Sequence, residues 1–138
     1  MTTSKTSEFV ANFRIPKWAE GASISVNGAR VTAGVNPGRF ASIFRPWKTG
    51  DRVEIDLPMT MRLEAVDPQH ADTVALLCGP LALFAIAGTS PKLARRQLLA
   101  AKKIGPQKWQ VETATGPLDM LPFTAIADQP YATYLTVA

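Results

Sequence analysis

Apolar and polar residues alternate with a period of two along most of this chain. Phe9, Ala11, Phe13 and Ile15 share one phase, with Val10, Asn12 and Arg14 on the other, which predicts a half-buried strand. The segment "ASISVNGARVTA" alternates on both sides of Asn27-Gly28. Both turn residues tolerate positive φ, so this dipeptide predicts a tight hairpin. "GRFASIFRPWKTGDRVEIDLPM" reads as strand, turn, strand. Pro46 is expected to end the first of these strands, and Lys48-Thr49-Gly50-Asp51 to make the turn. Val53, Ile55 and Leu57 then face away from Arg52, Glu54 and Asp56. Met59, Met61 and Leu63 carry the alternation past Pro58, which predicts an edge or a bend there.

The alternation stops in "TVALLCGPLALFAIAG", the longest apolar run. Gly79-Pro80 breaks it, and it falls short of the roughly 18 residues a membrane helix needs. Two continuous strands joined by a turn fit better, buried on both faces and central in a sheet. "PKLARRQLLAAKKIG" is the one helix-compatible stretch. "QKWQVETATGPLDMLPFTAI" predicts a strand pair across "ATGP", and "YATYLTV" a closing strand. Eleven prolines and nine glycines punctuate these segments. The expected fold is therefore all-β, an antiparallel β-sandwich (jelly-roll-like) of about 8–10 strands, with at most one short helix near 92–103. The expected organisation is a single domain over residues 1–138.

Composition narrows the chemistry. At 138 residues the chain can bury a sizeable core. A single cysteine excludes an internal disulfide framework and any multi-cysteine metal site. Cys78, in "ALLCGP", reads as a small buried hydrophobe. The net charge of +4 and pI near 9.5 invite an anionic partner. Yet the cations are spread out, and the one cluster (Lys92, Arg95, Arg96, Lys102 and Lys103) surrounds a leucine-rich face, which reads as a solvated surface. No basic stretch interleaves with aromatics as a nucleic-acid reader would, so neither nucleic acid nor membrane is an expected partner. "MTTSKTSEF" has no apolar core, so a soluble chain without a signal peptide is expected, its compartment unassigned.

Catalytic constellations are sparse. Glu54 and Asp56 lie two apart on the polar phase of one strand, where solubilising charge explains them as well as a glycosidase pair would. Glu64, Asp67, His70 and Asp72 cluster in "EAVDPQHAD" without the ligand spacing of a calcium loop. No phosphate loop or nucleophile elbow occurs. The expected catalytic, metal and cofactor residues are accordingly none. The tryptophans carry the remaining candidacy. Trp18, Trp47 and Trp109 could stack a sugar, and Trp18 and Trp47, both at strand ends, could instead cap a core while the indole N–H reaches a backbone carbonyl.

"FRIPKWAEGASISVNG", "PGRFASIFRPWKTGDRVEIDLPMTMRLE", "VALLCGPLALFAI" and "LPFTAIADQPYATYLTV", in this order, resemble the C-terminal region of glycoside hydrolase family 127. These β-L-arabinofuranosidase-like enzymes were formerly grouped as a domain of unknown function. The resemblance runs from about Phe9 to Val137. It implies a β-sandwich accessory to a catalytic α/α-barrel, whose cysteine nucleophile and cysteine–glutamate zinc site have no counterpart in this chain. Cys78 inherits no role from them. The implied function is thus non-catalytic, supporting that barrel or a subunit interface within a parent hydrolase. Two alternatives stand beside it: a carbohydrate-binding module using Trp18, Trp47 or Trp109, and a protein-interaction or homodimerisation domain.

Overall fold

The computed structural model describes residues 5–138 and is essentially all-β, with antiparallel sheets. By its contacts the chain divides into two compact units, one ending at Thr60 and the next beginning at Met61.

The first unit holds two small sheets. β1 (Ser7–Arg14) pairs with β4 (Phe40–Trp47) over eight residues, Ser7 opposite Trp47 and Arg14 opposite Phe40. β2 (Ser23–Val26) lies between β3 (Ala29–Arg30) and β5 (Val53–Asp56). Both sheets feed one core, where Ile15, Ala19, Ile24 and Ala41 are almost fully covered and Phe13, Trp18, Ile43 and Val53 pack around them. The expected phase of β1 holds at Ala11, Phe13 and Ile15, which are half-buried or buried.

The turn after β2 is the predicted hairpin. Asn27 at φ 52° and Gly28 at φ 81° give the two left-handed residues that a primed two-residue turn needs. Pro46, by contrast, does not end its strand: β4 continues through it to Trp47, with Pro46 opposite Glu8. The sheet has only two strands, so each has an open edge, and there a proline's missing N–H costs no ladder bond.

The second unit is one seven-stranded sheet. Its strands are β6 (Met61–Ala65), β7 (Thr73–Cys78), β8 (Leu81–Ala85), β9 (Lys102–Gly105), β10 (Lys108–Thr113), β11 (Gly116–Pro122) and β12 (Leu135–Thr136). A five-residue helix, α1 (Arg95–Leu99), precedes β9. The helix is where a short one was expected, but Lys102 and Lys103 belong to a strand, turning back into β10 with Gly105 opposite Lys108. The pair across "ATGP" is present, with Thr113 opposite Gly116.

β7 and β8 are central, as their continuous apolar runs predict. β6 occupies one edge of β7 from Val74 to Cys78. β8 pairs along the other edge only from Leu76 to Cys78. There the two strands splay, and the C-terminal segment enters between them. Ala132 bridges Ala85, and Leu135 sits opposite Val74. The Val137 amide donates a hydrogen bond of 2.7 Å to the Asp72 carbonyl, and Val137 forms a parallel bridge with Leu93. Val74, Leu76, Leu83, Leu98, Val111, Met120 and Leu135 form the centre of this unit's core, each at most 1% exposed. Arg62, on β6, donates from Nη1 to the Gly79 carbonyl and so holds the β7–β8 turn.

Candidate functional site

The three tryptophans come to different places. Trp47 is buried, and its Nε1–H donates to the Phe9 carbonyl at 3.1 Å, the capping contact expected of a strand-end indole. Phe9 stacks on it at 5.7 Å between ring centroids, and the Arg45 guanidinium lies 5.1 Å from its centroid. Trp109 is 3% exposed inside the second core, with the Lys103 ammonium 5.3 Å from its ring. Buried rings of this kind present no free face on which a sugar could lie. Trp18 is half-buried and packs against the first core.

The ionisable candidates are dispersed. Glu54 pairs with Arg52 at 2.8 Å on the exposed side of β5. Asp67 is used by its own loop: Oδ1 accepts the amides of Gln69 and His70 at 2.9 and 2.8 Å, and His70 Nδ1 lies 2.8 Å away. Glu64 pairs with Arg62 at 3.0 Å. Among the described residues no three of His, Cys, Asp or Glu gather in a metal-holding group. Cys78 is buried, and that burial pushes its thiol pKa up, away from the reactive thiolate.

Asp51 is the most heavily bonded carboxylate of the first unit. Asn27 Nδ2 donates to its Oδ1 at 2.8 Å, and the Lys48 amide donates to Oδ2 at 2.9 Å. These two bonds, with Arg45 beside it, hold its pKa below the ordinary carboxylate value. Asn27 also accepts the Arg52 amide at 2.9 Å through Oδ1. One side chain therefore ties the β2–β3 hairpin to the β4–β5 turn.

Surface features that period and spacing did not single out are more prominent. The outer face of β1–β4 carries Phe40 and Phe44, 60% and 67% exposed, with Val10 directly opposite Phe44. Asn12 and Ser42 join across the strands at 2.6 Å, and Arg14 lies 5.3 Å from the Phe40 ring centroid. In the second unit Phe84 meets Tyr131 edge-on at 5.5 Å and Phe123 at 6.1 Å, beside a groove of about 250 Å3. Beside α1, a cleft of about 430 Å3 is lined by Arg96, Gln97, Ala100, Lys102 and Glu112. The visible signal for the aromatic face was present in "FASIF", but both phases of that strand are apolar, so its outward side was not assignable.

Among the described residues no helix is long and apolar enough to cross a membrane. Comparison with known proteins gives a consistent likeness. Residues 1–59 match the family model described as "Beta-L-arabinofuranosidase, GH127 middle domain". No curated protein matches the chain. Among solved structures, a GH127 β-L-arabinofuranosidase from Geobacillus stearothermophilus T6 superposes on 96% of the chain with a TM-score of 0.72 and 20% identity. A GH127 β-arabinofuranosidase covers 99% at 0.69 and 23%, and a glycoside hydrolase 97% at 0.70 and 20%. The chain spans only 28, 27 and 29% of the glycoside hydrolase, the Geobacillus enzyme and the remaining GH127 enzyme respectively. At these identities the likeness shows the fold: this chain folds as one stretch of these larger glycoside hydrolases folds.

Proposed function

We propose that the chain is a non-catalytic β-rich region of a GH127-like glycoside hydrolase that lies C-terminal to the catalytic domain and includes the middle domain. In this reading it supports a catalytic α/α-barrel and shares an interface with it. The observation that carries the proposal is joint. The first 59 residues match the GH127 middle domain, and nearly the whole chain superposes on less than a third of GH127 enzymes. A likeness that covers one chain and so little of the other is what one stretch of a larger enzyme gives, and the dispersed carboxylates of the described residues support reading that stretch as non-catalytic. The outward face of β1–β4, with Phe40, Phe44 and Val10 open to solvent, supplies the kind of apolar surface such a contact uses. The purified chain should therefore leave aryl β-L-arabinofuranosides intact under conditions where a complete GH127 enzyme cleaves them. Turnover by the chain alone, abolished by a substitution within it, would refute the proposal.

A further inference from the structure

The cleft beside α1 has a chemistry that the supporting role does not use. Its volume, about 430 Å3, lies within the roughly 300–1,000 Å3 typical of small-ligand sites. Two of its five lining side chains are cations, Arg96 from α1 and Lys102 from β9, and both are exposed. Glu112, from β10, is exposed as well. Gln97 is committed to the scaffold: its Oε1 accepts the Ala94 amide at 2.8 Å, and its Nε2 donates to the Glu112 carbonyl at 3.2 Å. The cleft floor is thus fixed from both α1 and β10, and its free polar groups are two positive charges and one carboxylate.

That combination selects among anions. A carboxylate or phosphate would sit on the guanidinium and ammonium groups through charge-assisted hydrogen bonds. A phosphate monoester dianion would be held by the same two cations, but it carries no hydroxyl to donate to Glu112. No aromatic side chain lines the cleft to stack a base, as single-stranded nucleic-acid sites require. A singly charged ligand bearing hydroxyls uses every group: its carboxylate on Arg96 and Lys102, its hydroxyls donating to Glu112, and its C–H face on Ala100.

We infer that this cleft binds a carboxylate-bearing saccharide, a uronic acid residue of an oligosaccharide, through Arg96 and Lys102. The inference goes beyond the supporting role and does not depend on it, since the cleft lies wholly within the second unit.

Titration of the chain with trigalacturonate, followed calorimetrically, tests the inference. Saturable one-site binding is expected, weakened about tenfold by Arg96→Ala and by Lys102→Ala, each losing one charge-assisted bond. Circular dichroism should show both variants folded, because both side chains are exposed. A neutral arabino-oligosaccharide of equal length should not bind. Absence of trigalacturonate binding would overturn the inference, as would equal binding of the neutral sugar. Tighter binding of a short oligonucleotide with the same Arg96 dependence would overturn it too, showing a site that reads charge alone. None of these outcomes bears on hydrolysis by the chain, so the two proposals fail separately.

Discussion

A single amide side chain organises much of the first unit. Asn27 supplies the first left-handed residue of the hairpin and three hydrogen bonds, two from its side chain and one from its amide to the Arg52 carbonyl at 2.9 Å. Asn27→Ala keeps neither the tolerance of positive φ nor the side-chain bonds, and is expected to cost about 1–2 kcal/mol in a denaturant titration. It should also let the Asp51 pKa climb back toward its usual range, readable as the carboxyl shift against pH. An unchanged titration would sink the assignment of Asn27 as the main cause. The sign for stability follows. Asp51 and Asp119, the latter held down mainly by Lys108, both have folded-state pKa values below the ordinary one. Their contribution is complete above the unfolded value of about 4 and fades as pH falls through the folded values. Stability should therefore drop on acidification below pH 4, and less steeply in Asp51→Asn. Both carboxylates sit at the surface with exposed cationic or polar partners, partly covered rather than deeply buried, so the effect is modest and should shrink with salt.

At the scale of elements, the strands differ in how openly the residues announced them. The hairpin at Asn27-Gly28 was legible because turn chemistry is local. So were β7 and β8, whose unbroken apolar runs leave no polar face to expose. β9 was not. "AKKIG" has no alternation to mark a strand, and its pairing is decided by β10, which follows only after the turn. Pro46 misled for a related reason, since the rule against proline in strands holds for central strands and β4 has an open edge. The outward rings of β4 were invisible because "FASIF" offers an apolar residue to either side. Their exposure leads to a prediction: Phe44→Ser should leave stability within about 0.5 kcal/mol of the parent while lowering the binding of an apolar dye. A large loss of stability would mean that Phe44 is covered. For the tryptophans, sequence could name them but not orient them, because burial is a property of the sheet that closes over a ring. Trp109→Ala is expected to cost about 3–5 kcal/mol, as removal of a core aromatic does, and a cost near zero would return Trp109 to the list of surface platforms.

At the scale of the whole chain, the all-β class followed from period and punctuation, while the two compact units did not. Nothing in composition changes near Thr60, and the break shows only in which strands pair with which. The proposed supporting role belongs to this scale as well, and the arabinofuranoside assay tests it directly. The splayed junction of β7 and β8 has a consequence in time. The segment that fills it, residues 132–137, follows every other strand of that sheet along the chain. Until it is in place, β8 lacks the partner of Ala85, and the Asp72 carbonyl and the edge of β7 at Val74 stay open. Chains truncated before residue 131 should therefore remain protease-sensitive throughout the second unit, and folding there should wait until that segment is in place.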